Sequence, residues 1–217
     1  MSAQASTRTR ARPLPASAEL MPEPCALVIF GASGDLTRRM LLPALYNLAL
    51  DRRLPPRFAV IGFARTEWDD EQFRRQAREA VAEFSRRPID EDVWQSFSSN
   101  LFYVTGEYHK PESHERLTDL LDRVEEEQGT AGNRIYYLAL PPTTFPLIIQ
   151  QIRKTHYRER DGEERHGWAR VIVEKPFGGD LRSALELNRH IHSVFREDDV
   201  YRIDHYLGKE TVQNILV

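Results

Sequence analysis

The chain has 217 residues, 41% hydrophobic and 29% charged, enough for one large domain or for one domain with part of another. Thirty Lys and Arg against thirty-three Asp and Glu leave a net charge of -3, so no global positive field favours nucleic acid; no apolar run approaches the roughly 18–20 residues that cross a bilayer. The single cysteine, Cys25, excludes an internal disulfide, leaves any metal site to His and carboxylates, and points to a reducing, cytoplasmic setting.

Residues 1–24 hold three Arg and four Pro, with no acid before Glu19 and few sizeable apolar groups, which predicts a disordered tail. An Arg-rich, acid-poor start also fits an organellar transit peptide, but the apolar periodicity of an amphipathic helix is missing. From Cys25 onward, predicted strands at 25–30, 57–63, 101–105, 134–140 and 170–174 alternate with predicted helices at 34–50, 69–86, 112–128, 143–155 and 180–196. This alternation predicts an α/β fold, a Rossmann-like doubly wound parallel sheet with right-handed crossovers. The charge run from Arg158 to Gly167 reads as a solvated loop. The last residues, Asn214-Ile215-Leu216-Val217, are apolar with no cap or turn signal, as in a chain cut inside an element.

The first strand runs into Gly31-Ala32-Ser33-Gly34-Asp35-Leu36 and then a helix. Small residues at such a turn let backbone N–H groups and a helix N-terminus approach a pyrophosphate. The spacing is Gly-x-x-Gly, not Gly-x-Gly-x-x-Gly, so the pattern alone also allows a plain strand-to-helix turn. The second strand ends at Ala64-Arg65-Thr66. A guanidinium there suits a ribose 2′-phosphate and favours NADP over NAD. Glu67, Asp69 and Asp70 are the competing acids, but they open the next helix, where carboxylates favour the dipole.

Glu174-Lys175-Pro176-Phe177-Gly178-Gly179 ends the fifth strand, on the edge where open sheets bind ligands, so Lys175 can meet a phosphate or a sugar oxygen or simply point to water. Arg202-Ile203-Asp204-His205-Tyr206-Leu207-Gly208-Lys209-Glu210 packs ionisable groups around a Tyr, a density suited to an anionic, hydroxyl-rich ligand.

Together with Gly62-Phe63-Ala64-Arg65 and Tyr137-Leu138-Ala139-Leu140-Pro141-Pro142, these motifs occur in the order found in the glucose-6-phosphate dehydrogenase family, which residues 26–217 closely resemble. The resemblance implies an enzyme that oxidises glucose 6-phosphate to the lactone with reduction of NADP and that forms homo-oligomers when complete. It implies cofactor contacts at Gly31, Ala32, Ser33, Gly34, Asp35, Leu36, Arg65, Ala139, Pro141 and Lys175. Lys175, His205, Tyr206 and Lys209 would hold the substrate, with Lys175 and Asp204 in the chemistry and Asp204 orienting a base histidine. None of the seven His fits that base, His205 being taken by the phosphate, so residues 1–217 are expected to be inactive alone. The implied organisation is a tail at 1–24, an NADP-binding domain at 25–200 and the start of an α+β substrate domain at 201–217. The rivals are a sugar oxidoreductase of the glucose–fructose oxidoreductase type, which shares the glycine turn and Glu-Lys-Pro, and a non-catalytic NADP-binding protein.

Overall fold

Strands β1 (Cys25–Phe30), β2 (Phe58–Ala64), β3 (Leu101–Thr105), β4 (Arg134–Leu138), β5 (Ala169–Glu174) and β6 (Val200–Ile203) form one parallel sheet. Its order is β3-β2-β1-β4-β5-β6, with the reversal between β1 and β4. This is the doubly wound arrangement expected from the alternation. The computed structural model describes residues 21–156 and 167–204. The tail through residue 20, the charged run and His205, Tyr206 and Lys209 lie outside the described residues.

The apolar runs are continuous because both sheet faces are covered. All six residues of β1 are buried. Val28 and Phe30 join a core under α4 (Pro111–Gln128), α5 (Phe145–His156) and α6 (Leu181–His192). Leu27 and Ile29 join a second core under α1 (Leu42–Leu50), α2 (Asp70–Phe84) and α3 (Glu91–Ser98). Each helix buries the stripe its spacing provides: Phe73, Ala77, Ala80 and Val81 on α2, and Leu117, Leu120, Leu121 and Val124 on α4. The Asp69 side chain caps α2 by accepting from the Gln72 N–H at 2.7 Å. The Gly129 backbone, at φ 69°, ends α4.

Two elements were not among the expected ones. Helix α3 is only eight residues long; its signal is the Asp90 cap, which accepts from Asp92 and Val93, followed by Val93, Trp94 and Phe97. Strand β6 has no continuous apolar run because it is an edge strand with Tyr201 and Arg202 exposed. Its pairing of Tyr201, Arg202 and Ile203 with Ile172, Val173 and Glu174 carries the sheet three residues past the expected end at 200. Strand β4 stops at Leu138 rather than 140, after which the Ala139 N–H still donates to Phe30 O at 3.0 Å. Helix α6 ends at His192 rather than 196, where Ser193 closes it with its hydroxyl on His190 O.

Candidate functional site

In an open parallel sheet the ligand crevice lies beyond the carboxyl ends of the strands where the order reverses, here between β1 and β4. Gly31 follows β1 with φ 91°, and its N–H donates to Phe63 O at 2.9 Å. A Cβ at Gly31 would lie 2.3 Å from Ala139 O, so this glycine is what lets the ends of β1 and β4 come together. The Gly34 N–H and the Thr37 hydroxyl both donate to Gly31 O, at 2.9 and 3.0 Å. The next helical bond runs from Arg38 N–H to Gly34 O, so the N–H groups of Asp35, Leu36 and Thr37 have no partner inside the helix. The turn therefore fits a pyrophosphate on an observation of its own: glycine where the backbone must be bare, and a helix N-terminus behind it.

A cleft of about 530 Å³ opens over this turn, bounded by Ser33, Arg65, Thr66, Tyr108 and Leu140-Pro141. Arg65 is exposed at the end of β2, as its position in the sequence requires. Thr66 donates its hydroxyl to Ser33 Oγ at 2.8 Å, and Thr66 O accepts from the Tyr103 hydroxyl at 3.0 Å and from Thr105 at 3.2 Å. Burial pushes the Tyr103 hydroxyl up to about 12, so it remains a donor throughout the working range. Tyr108 faces the cleft; burial raises its pKa, opposed by the Arg65 charge and by a hydrogen bond with the Gly31 backbone. Thr66 and Tyr108 were not among the expected residues, since only the folded β2 and β3 ends bring them to the glycine turn.

The remaining expected cofactor residues divide. Ala32 is core, 3% exposed, and packs where a Cβ on Gly62 would come within 2.8 Å of it. Asp35 is exposed and pairs with Arg39 at 3.4 Å. Leu36 lines a neighbouring cavity of about 230 Å³ with Ala139, Pro141, Glu174 and Lys175. There Lys175 Nζ donates to Asp204 Oδ2 at 3.2 Å, which brings together the two residues expected in the chemistry. The contact depends on β5–β6 pairing, in which Glu174 lies beside Ile203 and the Lys175 N–H donates to Ile203 O at 3.1 Å. The Tyr137 hydroxyl donates to the Glu174 carboxylate; burial first and that carboxylate second raise its pKa.

His114 is structural. Its Nε2 bonds Tyr108 O at 2.8 Å, its ring stacks on Phe63 at 5.4 Å, and burial lowers its pKa. The folded state thus binds a proton less readily than the unfolded chain, whose His titrates near about 6.5. Stability is present above that pH and is lost as pH falls through the lower folded value. Urea midpoints of the protein are expected to drop between pH 7 and pH 5 more than those of His114→Gln; equal drops would remove His114 from the acid response.

Among the described residues, no group of three or more His, Cys, Asp or Glu is placed to hold a metal, and no helix is long and apolar enough to cross a membrane. Residues 28–214 match the family model for the NAD binding domain of glucose-6-phosphate dehydrogenase. The chain is 44% identical over 193 residues to glucose-6-phosphate 1-dehydrogenase 2 of Mycobacterium tuberculosis, covering 89% of this chain and 37% of that relative. It is 47% identical to the Chlamydia pneumoniae glucose-6-phosphate 1-dehydrogenase over 193 residues, 89% of this chain and 38% of that one. Among solved structures it resembles a glucose-6-phosphate dehydrogenase in complex with its substrate glucose-6-phosphate, with a TM-score of 0.76 at 38% identity over 90% of this chain and 39% of that one. The chain thus spans less than two fifths of the length of these relatives. A match that runs from the first strand through the Asp204 motif, with a TM-score of 0.76 and at these identities, means that the chain belongs to the glucose-6-phosphate dehydrogenase family.

Proposed function

We propose that this chain is the NADP-binding part of an oxidoreductase that oxidises C1 of glucose 6-phosphate to the 6-phosphogluconolactone, the entry step of the pentose phosphate pathway. The observation that carries the reading is the Lys175–Asp204 contact at the strand edge beside a glycine turn built for a pyrophosphate. When bound, NADP accepts the hydride. The chain's own groups bind and orient. The turn at Gly31, Ser33 and Gly34 holds the pyrophosphate, Arg65 pairs with the 2′-phosphate, and Ala139 and Pro141 wall the cleft. Lys175 reaches both ligands, and its cation lowers the cost of charge on the sugar oxygen as the proton leaves. His205, Tyr206 and Lys209 hold the substrate phosphate, so remote binding energy orients C1. Asp204 orients the imidazole that takes the O1 proton and stabilises the cation formed.

Residues 25–200 with β6 form the cofactor domain in this reading, and the substrate domain starts in the segment that follows. Family membership supports a cytoplasmic enzyme that assembles with copies of itself and has neither nucleic acid nor membrane as partner. Residues 1–217 by themselves are expected to bind NADP and to form no lactone, because the base imidazole has no candidate among their histidines; lactone formation by that stretch would overturn the assignment.

The cofactor reading is tested at Arg65. Arg65→Ala is expected to weaken NADP by roughly 1.5–3 kcal/mol, the range for a charge-assisted contact, or about 10–150-fold in Kd, and to leave NAD nearly unchanged. Calorimetric titration of both cofactors reads this, and equal losses would take Arg65 off the 2′-phosphate.

A further inference from the structure

The loop between β3 and α4 sets an acid beside the Arg65 corner of the cleft. Thr105 pairs with Ala64 in the β2–β3 register, and the Gly106 N–H donates to Ala64 O at 2.8 Å. Arg65 and Gly106 therefore leave neighbouring strand ends side by side, and Tyr108, two residues on, bounds the same cleft as Arg65. Between Gly106 and Tyr108 stands Glu107, a half-exposed carboxylate. An acid in this place works against a phosphate twice, by repelling it and by competing for the guanidinium.

Two cations of the same loop take up that carboxylate. Lys110 Nζ donates to Glu107 Oε1 at 2.7 Å, and His109 Nε2 lies 3.5 Å from Oε2. The hydrogen bond from Lys110 is the largest influence holding the Glu107 carboxyl below its ordinary value; burial opposes it, and the charges of Lys110, His109 and Arg65 add to it. The loop that presents the pair is preformed. The Glu107 N–H donates to Ser113 Oγ at 3.1 Å, the Lys110 N–H donates to Glu107 O at 3.2 Å, and His114 Nε2 bonds Tyr108 O at 2.8 Å. A Cβ on Gly106 would come within 2.7 Å of Ser113 Cβ and 2.9 Å of Phe63 Cζ, so the backbone packs closely between α4 and β2.

We propose that Lys110 is a specificity-determining residue for the adenosine end of the cofactor: by pairing with Glu107 it keeps that carboxylate off Arg65, and so leaves the guanidinium to the 2′-phosphate of NADP. The inference rests on the assignment of Arg65 to the 2′-phosphate and adds the residue that protects it. A carboxylate released from Lys110 would instead draw Arg65 to itself and could accept from the 2′-hydroxyl of NAD, the bond an acid makes at this place in NAD-selective folds. The pair therefore acts on the choice between the two cofactors and hardly on the fold. Exposed ion pairs of this kind add little to stability, and although Lys110 stands at the N-cap of α4, its side chain makes no capping bond there.

Calorimetric titration of the full chain with NADP and with NAD tests this. Lys110→Met is expected to raise the Kd for NADP about 3–10-fold, an effect held down by solvent and salt screening of exposed charges, and not to weaken NAD. Adding Glu107→Gln to Lys110→Met removes the released carboxylate and is expected to bring NADP back to within about twofold of the unaltered protein. Arg123→Met, which removes the same charge from an exposed position further along α4, is expected to leave both cofactors unchanged. Equal losses for NADP and NAD in Lys110→Met, no loss of NADP, no recovery in the double variant, or the same loss in Arg123→Met overturns the proposal. Arg65→Ala keeps this result apart from the reading beneath it. If Arg65→Ala separates NADP from NAD and Lys110→Met does not, the 2′-phosphate assignment stands and the role of Lys110 falls; if Arg65→Ala weakens both cofactors alike, both fall.

Discussion

Gly31→Ala is expected to lower the melting temperature by about 5–20 °C and to remove measurable NADP binding. Two costs combine at this position. At φ 91° an L side chain is strained, by roughly 1–2 kcal/mol for a single residue. The new Cβ would also sit 2.3 Å from Ala139 O, a backbone atom held by the Ala139 N–H bond to Phe30 O at 3.0 Å, so the end of β4 must move away from β1. Forcing atoms into a packed site costs about 1–3 kcal/mol. The total of roughly 2–5 kcal/mol corresponds, at about 2–4 °C per kcal/mol, to the stated shift. The displaced segment carries Ala139, Leu140 and Pro141, the wall of the cleft, so binding suffers beyond the loss of fold. Thermal melts with and without NADP separate the two effects. A variant that melts lower but still gains the normal increment from NADP would detach the turn from the cofactor.

Asp122→Ala is expected to cost about 3 kcal/mol, the lower end of the range for stranding a buried charge. Arg134 opens β4 with its side chain 2% exposed beneath α4, Nη2 bonding Asp122 Oδ1 at 3.2 Å and lying 3.9 Å from Glu125. Its Nη1 is buried without a hydrogen-bond partner, so little reserve remains when Asp122 is removed. Adding Arg134→Met to Asp122→Ala should recover much of the loss, because the stranded cation goes and an apolar chain of similar length fills the site. Urea denaturation of the single and double variants measures both values; a double variant no more stable than Asp122→Ala would show that Arg134 contributes by packing and not by charge.

Much of this fold is legible in the sequence because a doubly wound sheet writes both covered faces into its strands. Cys25–Phe30 and Leu101–Thr105 stand where their apolar runs place them, and the expected helices 69–86, 112–128 and 143–155 lie within two residues of α2, α4 and α5 at both ends. Elements stabilised mainly by tertiary contact are harder to read. Helix α3 is too short to show a full period and is held by Trp94 and Phe97 in the core beside Tyr46. Strand β6 is defined by its pairing with β5 and not by its own side chains. In the site, the places of Gly31 and Arg65 are readable because both follow directly from the ends of apolar strands. Thr66, Tyr108 and the Tyr137–Glu174 bond are not, since each arises from strands adjacent in space and distant in sequence.

The parallel register of β5 and β6 also separates what can vary in this chain from what cannot. Lys175 and Asp204 are 29 positions apart in sequence yet meet through strand ends in phase, Glu174 beside Ile203. The turn between α6 and β6 acts as a spacer that joins the two without setting the phase of β6 against β5. Removing one residue inside Val200–Ile203 is a different kind of change, because strand side chains alternate faces and Asp204 would swing to the other side of the sheet. Indels tolerated at 196–199, beyond the core residue Phe195, and forbidden at 200–204 are therefore the pattern that natural or laboratory variation of this chain should show.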